Sequence, residues 1–293
     1  MPRNTTRREF LKETALLGAA ACAMRAAGGA AAAETAEGQL PKIKLGTLEV
    51  SRLILGSNPF FGFAHKPGDV GRKMQEYYTD ERIMAVLDEA AEHGITAVWT
   101  PVYDRWVRLW NKYREKGGKL RTWIGQPDPG PEQMKSHITT AAKNGAKAIC
   151  IQGVQIDGQV GAGRWDVIRG WLEHIHSFDL PAGMATHQPF THPMAEEKKL
   201  PTDFYHQCFF QPENYSLDCR QKAIETIRKL DKPVVGYKVL AAGRIAPAEG
   251  FAFALKHLRP KDGMCVGVFP KDDPDQLAEN STLVRKLTGR APA

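Results

Sequence analysis

Eight short apolar runs, each followed by a stretch of helical periodicity, fill most of this chain between residues 52 and 287. The runs cover 52–56, 97–100, 122–125, 148–152, 182–187, 208–211, 234–240 and 264–269. The helical patterns cover 80–93, 105–115, 131–144, 165–177, 193–199, 220–229, 247–258 and 274–287. Strands apolar at nearly every position must be covered on both faces, which suits a parallel sheet. An amphipathic helix after each strand supplies the crossover, and right-handed crossovers leave few topologies. Eight such units in about 240 residues predict a closed (β/α)8 barrel of the TIM type, an α/β fold, with an open doubly wound sheet as the alternative. The segment 43–50 reads as a short hairpin ahead of the first barrel strand. Gly94, Gly145 and Lys229-Leu230-Asp231 end helices just before strands, as C-caps do. One domain over 42–289 follows.

Ahead of the barrel, Thr6-Arg7-Arg8-Glu9-Phe10-Leu11-Lys12 precedes an alanine-rich run that ends at Ala31-Ala32-Ala33. This reads as a twin-arginine export signal over residues 1–33 with a small-x-small cleavage site. A flexible lead-in then covers 34–41. An ordinary alanine-rich helix is the alternative, but it would not open on a basic cluster and continue nearly free of charge. The run falls short of the roughly 20 strongly apolar residues of a stable membrane anchor. Cys22 offers a lipid attachment point, with Ala19 in place of the usual leucine. The expected location is periplasmic or otherwise exported, and the expected partner there is the twin-arginine translocation machinery.

The formal charge of +7 includes five basic and two acidic side chains within residues 1–33, so the rest of the chain stands near +4. Those basic residues are scattered and form no stripe, which argues against nucleic acid as a partner and for a small-molecule substrate. Beyond the signal lie Cys150, Cys208, Cys219 and Cys265, with no Cys-x-x-Cys pair. They support neither a zinc nor a redox motif, and three of them sit in apolar runs as small hydrophobes.

In such barrels the chemistry lies at the C-terminal ends of the strands. Those ends read Ser57-Asn58, Thr100 with Tyr103-Asp104, Gln126 with Asp128, Gln152, His187, Gln211 with Glu213-Asn214, Lys238, and Lys271-Asp272. The ring is rich in amides and poor in carboxylates. A catalytic metal needs three or four converging Asp, Glu or His ligands, and here only His187 stands close to a strand end, so no metal is expected. Lys238 falls inside the apolar run 234–240, where burial lowers a lysine pKa and makes a base or an imine-forming amine. A lysine held by a carboxylate or a cofactor is the alternative. His187 suits proton transfer near neutral pH or a structural role. No Gly-x-Ser-x-Gly elbow, His-Glu-x-x-His helix or Walker loop occurs.

The motif Leu45-Gly46-Thr47-Leu48-Glu49-Val50-Ser51-Arg52-Leu53-Ile54-Leu55-Gly56 resembles the opening hairpin and first strand of the aldo/keto reductases. Ala90-Ala91-Glu92-His93-Gly94-Ile95 is similar to that family's first helix end, and 211–215 to its sixth strand exit. Tyr237 with the turn 240–243 is similar to its seventh. Gln276-Leu277-Ala278-Glu279-Asn280 resembles the motif that grips the adenine end of NADP. The resemblance spans most of 42–287. It implies an NADP-dependent oxidoreductase in which Gln276, Glu279 and Asn280 hold the adenosine and Lys271 meets the 2′-phosphate. Gln211 and Tyr237 complete the implied cofactor site. The departures gather in one place. The family's catalytic Asp, Lys and His align with Trp99, Gln126 and Gln152. Tyr103 stands one residue from the catalytic Tyr, and Ala185-Thr186 replaces the Ser-Asn pair that holds the nicotinamide amide.

Three functions follow. The first is a divergent, exported aldo/keto reductase-like oxidoreductase of a small carbonyl or sugar-like substrate, using Tyr103, His187 or Lys238 for proton transfer. The second is a nicotinamide-independent lyase, epimerase or isomerase, in which Asn58, Gln126 and Gln152 bind sugar hydroxyls and Trp99, Trp106 or Phe60 stacks on the ring. The third is a barrel that binds a ligand without turnover.

Overall fold

The computed structural model describes residues 39–211, 214–271 and 273–289. The export signal of 1–33 with Cys22, the lead-in as far as residue 38, Glu213 and Asp272 lie outside the described residues.

The hairpin forms from β1 (Lys42–Leu45) and β2 (Leu48–Ser51), paired antiparallel with Leu45 opposite Leu48. Its tight turn needs Gly46 at a φ of +62°, a left-handed backbone that glycine adopts without a Cβ clash. Ile43, Leu45 and Val50 pack with Ile54, Ala97, Ile124, Ala148 and Val235 in one buried cluster, so the hairpin seals the barrel floor. Thr96 and Ser51 lock it there, each backbone N–H donating to the other's hydroxyl, at 2.7 Å to Thr96 Oγ1 and 2.9 Å to Ser51 Oγ.

Eight parallel strands then close the barrel: β3 (Leu53–Gly56), β4 (Ala97–Pro101), β5 (Thr122–Gln126), β6 (Ala148–Ile151), β7 (Ala182–Thr186), β8 (Phe204–Cys208), β9 (Val234–Tyr237) and β10 (Gly263–Gly267). They pair in chain order and β10 returns to β3, which excludes the open sheet. The crossovers are the helices α1 (Val70–Tyr77), α2 (Asp80–Glu92), α3 (Asp104–Glu115), α4 (Pro131–Lys143), α5 (Gly153–Gly161), α6 (Trp165–His176), α7 (Thr191–Glu197), α8 (Leu217–Lys229), α9 (Pro247–His257) and α10 (Gln276–Thr288).

Three departures from the sequence-based expectation matter for the site. The sixth barrel strand is Phe204–Cys208, not 208–211. The polar His206 and Gln207 break its apolar pattern, although both are buried, while Phe209 and Phe210 extend the apolar run into a buried loop. The seventh ends at Tyr237, so Lys238 stands just past the strand instead of within it. Lys238, Ala241 and Ala242 turn the chain left-handed there, with φ of 56°, 50° and 55°. Finally, α1 and α5 fall where no helix is expected. No residue of α1 is buried, and α5 carries glycine at 153, 158 and 161, a composition that favours loops.

Candidate active site

The floor of the mouth is aromatic. Trp99 projects from β4 and is 7% exposed. Its ring meets that of His206 edge-on at 4.2 Å and that of Tyr237 at 5.5 Å. The Tyr237 hydroxyl donates to the Thr186 carbonyl at 2.9 Å. His206 is fully buried, and neither ring nitrogen finds a partner among the described residues. Burial, reinforced by the charge of His192, depresses its pKa to about 3, so the ring is neutral.

His187 stands immediately after β7 on this floor, 5.9 Å from the Tyr237 ring. Its Nδ1 lies 2.8 Å from Asp157 Oδ2 on α5. Asp157 also accepts from the His187 backbone N–H at 3.2 Å and from the Thr186 hydroxyl. A carboxylate only accepts, so Nδ1 carries the proton of the neutral ring and Nε2 is left as the base. The α5 backbone approaches closely because residue 153 is glycine. A Cβ there would stand 3.0 Å from His187 Cε1 and 3.2 Å from Tyr237 Oη.

A cationic group stands past the end of β9. Lys238 is half-buried, and burial lowers its pKa, opposed by the nearby Cys208 thiol. Across the mouth, Asn58 Nδ2 reaches His65 Nε2 at 3.2 Å. Partial desolvation, together with the charges of Lys238, His187 and Arg244, holds the His65 pKa down to about 4. Arg244 Nη2 donates to the His65 carbonyl at 3.1 Å, and Lys66 Nζ to the Gly243 carbonyl at 3.0 Å. These two bonds tie the loop after β3 to the loop after β9.

The other expected residues divide around this centre. The Tyr103 hydroxyl donates to Asp128 Oδ2 at 2.7 Å, and burial followed by that bond raises its pKa, which makes it a poorer acid. Gln126 ends β5 half-buried, and Gln152 opens α5. Gln211 donates through Nε2 to Gln188 Oε1 at 3.0 Å. Gln276 spends its Oε1 on the Phe269 N–H at 2.9 Å. Lys271 and Glu279 are exposed, while Asn280 is buried. Among the described residues no three His, Cys, Asp or Glu side chains converge to hold a metal ion. His192 is buried, with Nε2 at 3.1 Å from the His206 carbonyl. Cys150, Cys208, Cys219 and Cys265 are free thiols.

A hollow of about 220 Å³ opens over the end of β8, walled by His187, Gln188, Phe190, Gln207, Gln211 and Cys219 among others. Asp157, His65, Arg244, Gln188 and Gln207 are site residues that the sequence alone did not mark. For Asp157 one signal was present, a single acid in a stretch otherwise free of charge between 148 and 163.

No protein-family profile matches the sequence, and no curated protein matches it either. Solved structures do. One from Pseudomonas aeruginosa, described as an aldo-keto reductase, superposes with a TM-score of 0.60 at 16% identity, over 87% of this chain and 99% of that one. A second from the same organism gives 0.59 at 16% identity, over 84% and 95%. A third, Gox0644 in its apo form, gives 0.55 at 12% identity, over 87% and 97%. Together with the closed eight-stranded barrel, these neighbours give the chain the fold of the aldo/keto reductases.

Proposed function

We propose that this protein is an enzyme that transfers protons at a carbonyl- or hydroxyl-bearing carbon of a small, sugar-like substrate. The reading rests on one observation, the 2.8 Å contact of His187 Nδ1 with Asp157, which leaves Nε2 of a residue lining the hollow without a partner among the described residues. His187 acts as general base and then acid. Asp157 fixes its tautomer and stabilises the imidazolium that forms. Lys238 supplies positive charge to an oxygen that becomes anionic as the adjacent C–H bond breaks. This is lyase, epimerase or isomerase chemistry. Incubating the protein with candidate sugars in deuterium oxide tests it. Wild type should exchange one carbon-bound hydrogen, and His187→Asn and Asp157→Asn should each lower the rate at least a hundredfold. Equal exchange in all three proteins would remove His187 from the mechanism.

A second reading, NADP-dependent oxidoreduction, is favoured by the fold and by the start of α10. The residues present fit that cofactor at one end only. Lys271 and Glu279 are exposed at the adenosine end, and Gln276 keeps its amide hydrogens. At the nicotinamide end Ala185 offers no polar side chain, and both Thr186 oxygens are already engaged by Asp157 and Tyr237. Gln211 is tied to Gln188 by a single bond, its Nε2 donating to Gln188 Oε1 at 3.0 Å. Neither Ala185 nor Thr186, the pair at the place of the family's Ser-Asn, thus offers the nicotinamide amide a free side-chain group. Titration with NADP⁺ and NADPH decides between the readings. Dissociation constants weaker than roughly 1 mM, about −4 kcal/mol, exclude the cofactor.

The site of action is part of the proposal. Arg7-Arg8 and Ala31-Ala32-Ala33 support export of the folded chain. Replacing both arginines with lysine should hold the precursor in the cytoplasm, and unchanged export would refute this.

A further inference from the structure

Several buried polar side-chain atoms have no partner among the described residues, and of these Gln207 Oε1 alone belongs to a residue lining the hollow over β8. Gln207 is 1% exposed. Its amide orientation is fixed by chemistry, because Nε2 lies 3.2 Å from the Cys208 carbonyl, which only accepts. Oε1 is therefore an acceptor without a donor, and native proteins seldom keep a buried acceptor unpaired without a use for it. His187 lines the same hollow, so a ligand seated there meets both residues.

The walls indicate the donor. Gln188, Gln207, Gln211 and Asn214 are amides, which both give and accept hydrogen bonds as hydroxyl groups do. The charged side chains in the wall, Asp218 and Lys222, satisfy each other at 2.8 Å. Phe190, half-exposed at 51%, offers an apolar surface on one side. At about 220 Å³ the hollow is smaller than the roughly 300–1,000 Å³ of drug-sized sites. An uncharged ring of one sugar unit, with hydroxyls at its edge and C–H groups on its face, meets each of these conditions.

We infer that Gln207 is the specificity-determining residue of the site: its Oε1 accepts a hydroxyl of a neutral pyranose seated over the end of β8, against Phe190 and beside His187. This rests on the proton-transfer reading and adds the substrate class and the recognising atom. A ligand lacking that hydroxyl leaves the acceptor buried and unpaired, so discrimination by one such bond is strong.

The test uses uncharged methyl pyranosides of glucose, galactose, mannose and xylose, with saturation-transfer NMR and calorimetry on the purified protein. Wild type should bind at least one of them. Gln207→Leu keeps the bulk and removes the acceptor, and should weaken that binding tenfold or more. One monodeoxy analogue of the bound sugar should bind wild type as weakly as the parent binds the variant, with no further loss when the two changes are combined. The deoxy series on wild type decides the matter even if the variant fails to fold. If all deoxy analogues bind like the parent, or Gln207→Leu binds it unchanged, Gln207 does not recognise the substrate. Should His187→Asn still abolish exchange in that case, the proton-transfer reading stands without it. If no pyranoside binds wild type, the inference and its substrate class both fall.

Discussion

No carboxylate acts on the Lys238 ammonium among the described residues, and the group that favours its protonation is the buried Cys208 thiol. The folded pKa therefore lies below the 10.5 of a free lysine. Between those two values the unfolded chain holds a proton that the native chain lacks, so native stability rises with pH across that window. Below it both states are charged and the native state carries the full burden of a desolvated cation. Lys238→Met removes that burden and keeps a Cβ at the left-handed φ of 56°, so backbone strain is unchanged. The variant should lose turnover or sugar binding while its melting temperature at pH 7 holds or rises. A fall in melting temperature would make Lys238 structural. Lys238 was legible in the sequence as a charge within the apolar run 234–240, and His187 as the polar end of the run 182–187. Asp157, His65 and Gln207 were not. The partner of Asp157 is 30 positions away, and Gln207 lies in a strand whose polar residues are buried.

At the scale of elements, α5 shows why a segment that reads as a loop becomes a helix. Its glycines lower helix propensity, yet Ile156 is fully buried and Asp157 is anchored by three donors from β7 and the residue after it. Tertiary contacts override the local preference. Two of its glycines have different roles, and alanine separates them. At 158 a Cβ meets nothing within 4 Å, so Gly158→Ala should raise stability by about 0.5–1 kcal/mol without changing turnover. At 153 the Cβ would press on His187 and Tyr237 at 3.0–3.2 Å. Gly153→Ala should leave the fold in place and lower turnover several-fold by displacing the imidazole from the mouth. Thermal melts and exchange rates on the two variants check both outcomes, and equal rates would remove Gly153 from the support of His187. The barrel strands were readable because burial makes them apolar throughout. The sixth was misplaced because its inward His206 carries no hydrophobic signature, whereas the loop residues Phe209 and Phe210 do.

For the molecule as a whole, the buried histidines set the response to acid. His192 and His206 are both fully buried, and burial depresses their pKa values to about 4 and about 3. In the unfolded chain each titrates near 6.5. As pH falls through 6.5 the unfolded state takes up these two protons and the native state does not, so stability declines with each further step into acid. Each histidine contributes about 1.4 kcal/mol per pH unit while it is protonated only in the unfolded state. The His192 contribution stops growing near pH 4, and that of His206 continues to about pH 3. His65, with a pKa of about 4, adds a smaller effect because its residue is solvent-exposed. Glu89 works in the opposite direction, since burial raises its pKa and protonation favours the folded chain. The melting temperature should therefore drop steeply between pH 6.5 and 4. His206→Phe isolates one step of this linkage, since phenylalanine presents a flat ring between Trp99 and Phe204 and binds no proton. Unfolding free energies measured by denaturant titration from pH 7 to pH 4 should give a slope shallower by about one proton in the variant. An unchanged slope would mean that His206 is already protonated in the native barrel, and the two unpartnered ring nitrogens would then need a buried acceptor among the described residues that the barrel interior does not offer.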